Sequence, residues 1–248
     1  MTPLLRTWLA AVQGDTVRVR DELNNGFNIE SVGPDDGTLL QSAIRFSFMR
    51  FEINEIPPKN DMVILLLENG ADPNSQDNRG RAAIHECSAG GNLDHLILLV
   101  QYNADLNLKT LKGRTPLHLC AKQGNAEYAK YLIDHGADIN SLDNDHRTPL
   151  IAAVAAKYTP QGNREMVKCL IEKGANMMLV GANGHTAQSL SINLGRDDIT
   201  EVIQAAIMIR ENCVAFASGH HKRLGLGSDV NSLQPEIMRM ILDIVLEE

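Results

Sequence analysis

Large rings are scarce in this chain: aromatic residues make up 4% of it, with one tryptophan, four tyrosines and five phenylalanines. Hydrophobic content is nevertheless 44%. The apolar surface must therefore come mostly from aliphatic side chains, which let helices approach closely where rings would hold them apart. No apolar run is long enough to span a bilayer. The opening MTPLLRTWLAAVQGD has neither a basic leader nor a sufficiently long apolar segment, so no targeting signal is expected. Cysteine is sparse and poorly spaced for metal. Cys87, Cys120, Cys169 and Cys213 contain no Cys-x-x-Cys and read as small core residues in a reducing compartment. Asn-x-Ser/Thr is absent too, which fits the cytosol or nucleus, or a host cytosol for a secreted effector. Positive charge is in deficit: the net −8 argues against a general binder of nucleic acid or anionic membrane.

What is present is a repeating unit, seen best in LKGRTPLHLCAKQGNAEYAKYLIDHGADINSLD from Leu111 to Asp143. It reads as turn, helix, turn, helix, turn. Thr115 caps a helix whose first residue is Pro116, where a missing N–H costs nothing. Leu117, Cys120 and Ala121 give that helix a narrow face of mostly small residues. Gly124 and Asn125 break it, and a second helix turns Tyr128, Ala129, Leu132 and Ile133 inward. Gly136 stops the second helix in the left-handed conformation that glycine adopts cheaply.

This unit resembles the ankyrin repeat, whose Thr-Pro-Leu-His, small pair, Gly, apolar helix, Gly-Ala-Asp and Asn follow in order, with Cys120 in the usual alanine's place. Copies aligned on Gly70-Ala71, Asn103-Ala104, Gly136-Ala137 and Gly174-Ala175 step by 33, 33 and 38 residues. The resemblance implies an all-α, ankyrin-repeat α-solenoid of about six repeats with short hairpin turns. They run over about 2–36, 37–76, 77–109, 110–142, 143–181 and 182–217, the outer two as caps. Trp8 takes the histidine position of the first cap and reads as packing. In the sixth repeat Gly195 keeps register. From Asp197 or Asp198 an apolar stripe through Ile199, Val202, Ile203 and Ala206 to Ala217 predicts a long C-terminal capping helix. Residues 218–248 are expected to be a loop followed by an amphipathic helix from Pro235 to about Leu246.

Insertions lengthen two repeats. Arg45 to Asn60 holds Phe46, Phe48 and Phe51, which either pack on neighbours as an extended first helix or anchor a partner. Lys157 to Gln161 is a shorter, polar insertion.

No chemistry-bearing constellation emerges. His85 and His118 sit in Thr-Pro-Leu-His registers, where the family's histidine fixes the hairpin, and His135 sits at a helix end. No serine, cysteine or carboxylate falls at a spacing that would meet one of them on a single face. Adjacent His220 and His221 point apart and lack a further ligand at a useful offset, so no metal, cofactor or catalytic residue is expected. Gly225 and Gly227 follow no strand and read as loop glycines.

The resemblance implies a non-catalytic protein–protein interaction module, read as a monomer, that presents fingers and first helices on a concave groove. Arg81, Arg114 and Arg147 recur at intervals of 33 before the helix start, with Arg79, Lys112 and Lys122 on the same side. They either bind an acidic or phosphorylated segment of a partner or pair with finger acids such as Asp77, Asp143 and Asp145. Asn74, Asn107 and Asn140, each with a leucine eight residues upstream, match hairpin asparagines that the family's members present to an asparaginyl hydroxylase; they equally serve to fix the hairpin. Finally, Leu233-Gln234-Pro235-Glu236-Ile237-Met238 resembles the opening of an F-box, with Gln234 in place of a proline. That resemblance implies an adaptor contacting a ubiquitin-ligase subunit through Leu233, Pro235, Ile237, Ile241 and Leu242. The other reading is an ordinary buried helix with its stripe on Ile237, Ile241, Ile244 and Val245.

Overall fold

The computed structural model describes residues 2–47, 60–88, 92–156 and 160–224, with side chains described except at 160–162 and 211–224. These residues form helices α1 (Pro3–Gln13), α2 (Thr16–Asn24), α3 (Leu39–Ser47), α4 (Asp61–Glu68), α5 (Ala83–Ser88) and α6 (Leu93–Gln101). They continue with α7 (Pro116–Gln123), α8 (Ala126–Asp134), α9 (Pro149–Ala155), α10 (Pro160–Glu172), α11 (Ala187–Asn193) and α12 (Asp197–Leu224). No strand occurs among the described residues.

Helix starts follow from the caps. The Thr2, Thr148 and Thr186 hydroxyls accept from the N–H groups of Leu5, Ile151 and Ser189. Thr38 and Gln41 form a reciprocal capping box: the hydroxyl accepts from Gln41 N–H at 3.3 Å, and the Gln41 amide oxygen accepts from Thr38 N–H at 2.8 Å. Stops are equally local. Gly136 has φ +101°, and Asn103, in the glycine register of the third repeat, also takes a left-handed φ of +63°.

The chain forms two compact units, Met1–Cys120 and Ala121–Glu248, with the boundary inside α7. Within the first, α1 packs on α2 and α3, α3 on α4 and α5, α5 on α6, and α2 on α4. Within the second, α10 packs on α8, α9 and α12, while α11 packs on α9 and α12. First helices thus meet first helices and second meet second. From α4 on, each second helix buries an aliphatic register residue, Leu66, Leu99, Leu132, Leu170 and Ile203, all fully inaccessible. Each such side chain stabilises its repeat by about 2 kcal/mol. Ile133, expected beside Leu132, is only half-buried.

One expectation is corrected. The sequence predicts a loop from Ser218, but α12 runs unbroken through residues 218–224. A single interior glycine, Gly219, costs a helix only about 1 kcal/mol. The shorter insertion also joins a helix, since α10 begins at Pro160.

Candidate recognition surface

The fingers are closed by one recurring backbone bond. In the first unit the N–H groups of Gly33, Asp77 and Thr110 donate to the carbonyls of Gly37, Arg81 and Arg114 at 2.8, 2.8 and 3.0 Å. In the second, Asp143 and Gly181 donate to Arg147 and His185, both at 3.0 Å. The acid that opens a finger serves its backbone. Asp77 Oδ1 accepts from the N–H groups of Arg79 and Arg81, and Asp143 Oδ1 from those of Asp145 and Arg147. Neighbouring fingers also touch. Leu111 N–H donates to the Arg79 carbonyl at 3.0 Å, and a Cβ on Gly80, whose φ is +70°, would lie 2.6 Å from that nitrogen. Glycine is required there on both counts.

Behind the fingers the histidines lock the turns. His85 Nδ1 accepts from Ala82 N–H at 3.1 Å, which assigns the proton to Nε2, aimed at the carbonyls of Leu108 and Arg114 at 3.0 and 3.3 Å. Burial lowers the His85 pKa to about 4, against the opposing pull of those two carbonyls. His118 Nδ1 receives the N–H and hydroxyl of Thr115. Trp8, in the same register of the first repeat, donates its indole N–H to Asp35 Oδ1 and Ser42 Oγ, each at 3.0 Å, and meets Phe46 edge-on at 5.6 Å. His135 bonds the Tyr131 carbonyl at 2.8 Å and stacks on its ring.

The arginines are not equivalent. Arg81 lies 3.3 Å from Glu86 Oε1 through Nε, a charge contact without hydrogen-bond alignment, and donates to the His85 carbonyl at 3.4 Å. Glu86 also accepts from Arg45 at 2.9 Å, and Arg45 reaches Asp35 at 2.8 Å and Asp77 at 3.8 Å. Burial alone would lower the Arg45 pKa, but Glu86, Asp35 and Asp77 together outweigh it and raise it. Two arginines and three carboxylates thus interlock at the base of the fingers in Met1–Cys120. Arg147 instead pairs with exposed Asp145 at 3.4 Å, Arg114 is half-buried, and Arg79, Lys112 and Lys122 stand exposed.

The finger asparagines form a ladder. Asn74 Oδ1 accepts from Asp105 N–H at 2.7 Å while its amide donates to the Asn103 carbonyl, and Asn140 Oδ1 accepts from Asn176 N–H at 2.8 Å. Glu30 holds the same place in the first repeat, accepting from Asp72 N–H at 2.8 Å and the Ser75 hydroxyl at 2.6 Å. Neither Glu30 nor Glu86 was singled out from the sequence. The alignment that placed Asn74 would have found Glu30; nothing local marks Glu86.

Cys87 and Cys120 are buried free thiols, and burial raises both pKa values, Cys120 to about 12, which removes thiolate chemistry. Half-buried Cys169 is raised for the same reason. Among the described residues no group of three or more His, Cys, Asp or Glu could hold a metal ion, and no helix is long and apolar enough to cross a membrane. Phe48, Phe51, Leu233, Pro235, Ile237, Ile241 and Leu242 lie outside the described residues, as do the side chains of His220 and His221.

No curated protein matches the chain. A family model described as ankyrin repeats (3 copies) matches residues 55–143 and 91–179, together just over half of the sequence. Those spans contain the finger bonds of Asp77, Thr110 and Asp143 and the locks of His85 and His118, and the chain belongs to the ankyrin repeat family, with its all-α, paired-helix solenoid class.

Proposed function

We propose that the protein is a non-catalytic recognition module that holds a partner protein on its fingers and first helices. Members of its family generally serve protein–protein interaction. The observation that carries the reading is the finger composition in Met1–Cys120. Arg79 and Lys112 are exposed on adjoining fingers around Leu111, an apolar side chain 71% exposed, with half-buried Arg114 on the same finger as Leu111 and Lys112. Cations around an apolar anchor suit an acidic or phosphorylated segment that carries an aliphatic or aromatic residue. Arg81, held by Glu86, shapes the finger and contributes least to the contact. In Ala121–Glu248, Lys122 and Arg147 are the corresponding cations.

A peptide array probed with purified protein tests this. Acidic and phosphorylated sequences are expected to be retained over neutral and basic ones, and reversal of Arg79, Lys112 and Arg114 to glutamate should abolish the preference. An array pattern indifferent to peptide charge would sink the reading.

A further inference from the structure

The described fingers share a turn residue with left-handed φ. Gly80, Gly113 and Gly184 take it at +70°, +70° and +74°, but the same register holds Asp36 at +61° and His146 at +54°. A side chain there meets a clash that glycine avoids, so a residue with a Cβ calls for a reason. For Asp36 the reason is visible. Its Oδ2 accepts from the Asn78 amide on the next finger at 2.9 Å. His146 has no such role in the fold: its ring is exposed, and among the described residues no hydrogen bond, ion pair or ring contact reaches it. The backbone is held by other groups. His146 N–H donates to the Asp143 carbonyl at 2.9 Å, and Ala182 N–H donates to the Asp145 carbonyl at 3.2 Å. A side chain kept on a strained backbone without serving the fold marks a functional position.

The preceding residue departs from its register as well. Arg79, Lys112 and Asp145 stand 33 residues apart, so this finger carries a carboxylate where its counterparts carry cations. The Asp145 side chain is 57% exposed and pairs with Arg147 at 3.4 Å. An exposed pair of this kind is weakly held and open to exchange. A carboxylate beside a flat ring suits one group above others. Guanidinium presents parallel N–H donors to a carboxylate and packs its plane on an aromatic face, whereas an ammonium is a point charge without a plane. An acid would face the like charge of Asp145.

We propose that Asp145 and His146 hold an arginine side chain of the partner, the carboxylate accepting from the guanidinium and the imidazole packing on its plane. This goes beyond the charge preference proposed for Met1–Cys120. The finger of Ala121–Glu248 adds a contact of the opposite charge, and neither contact depends on the other.

Nuclear magnetic resonance on the full chain tests it, with acetyl-arginine methylamide as the probe and acetyl-citrulline methylamide, its neutral isostere, as the control. The arginine probe should shift the His146 ring signals and the amides of 144–147 saturably at millimolar concentration, and citrulline should bind at least roughly threefold more weakly. Asp145→Asn should weaken the arginine probe by at least roughly threefold, and His146→Gly, read at the Asp145 amide, should do the same. Unchanged amides in α8 report that each variant is folded. His146→Gly installs the residue that Gly80, Gly113 and Gly184 supply elsewhere, so it should unfold at the same temperature or a higher one. A lower unfolding temperature would show that the ring serves the fold and would overturn the proposal. So would the absence of a saturable shift, equal binding of citrulline, or arginine binding that survives both substitutions.

Discussion

Where internal repeats carry Asn74 and Asn140, the first repeat carries Glu30 and the fifth, before the last helix pair, carries Met178. Glu30 uses both carboxylate oxygens on the repeat that follows it, at Asp72 and Ser75, whereas the Met178 side chain can do nothing of the kind. The same contrast holds at the first helices. Trp8 departs from the histidine register yet donates to Asp35 and Ser42, while Ile192, in the register where Ile44 and Val154 are buried, stands exposed. At Glu30 and Trp8 the departures from the repeat pattern make inward bonds, and at Met178 the ladder residue is replaced by an exposed apolar side chain. Loss of consensus alone therefore does not define a cap; the chemistry of the replacement says whether it grips a neighbour or offers a face to one.

Several substitutions would break or sharpen this contrast. The largest effect is expected inside the stack, where neither end's rules apply. Leu170→Ala empties a fully buried site and should lower the unfolding free energy by about 2–5 kcal/mol in urea titration, against less than about 0.5 kcal/mol for Val17→Ala, whose side chain is exposed in the first repeat.

Next in size is a pH effect at His85. Its folded pKa, about 4, lies below the ordinary 6.5, so the unfolded chain binds a proton that the folded chain refuses. Stability is complete above pH 6.5 and falls as pH drops toward about 4, by on the order of 3 kcal/mol at the limit. Thermal unfolding at stepped pH should show that slope, and His85→Gln should flatten it.

At the first repeat, Glu30→Ala leaves the Asp72 N–H and the Ser75 hydroxyl without their acceptor and should cost about 1–2 kcal/mol. Glu30→Gln keeps one acceptor oxygen and should cost about half as much. If Glu30→Ala proves neutral, the inward grip assigned to the first repeat is wrong.

The smallest effect concerns the arginines. Arg147→Glu disturbs one exposed pair and should shift stability by less than about 0.5 kcal/mol, while Arg81→Glu sets a second carboxylate against Glu86 and should cost distinctly more. Equal losses would erase the distinction between a finger cation that is structural and one left for a partner.

Much of this was legible because the repeat is local. Thr148-Pro149 and Thr186 fix helix starts through their own hydroxyls, and Gly136 fixes a stop through its own φ, so spacing in the sequence reads directly as structure. The burial of Leu66, Leu99, Leu132 and Leu170 follows from the same period. What was not legible is non-local. Glu86 binds Arg45 and Arg81, one of them 41 residues away, and no periodicity marks a carboxylate shared by two cations. The course of α12 through Gly219 was missed because a glycine beside two histidines looks like a break, although its cost is small against a long helix.

Recognition at the fingers is tested most directly by a binding titration. A fluorescent phosphorylated peptide with an aliphatic anchor, taken from the array, is titrated with the full chain and with the Arg79→Glu, Lys112→Glu and Arg114→Glu single variants at two salt concentrations. Each charge-assisted contact contributes about 1.5–3 kcal/mol when partly buried, so each reversal should weaken binding roughly tenfold or more, and added salt should weaken it further. Affinity unchanged by all three reversals and by salt would contradict the account.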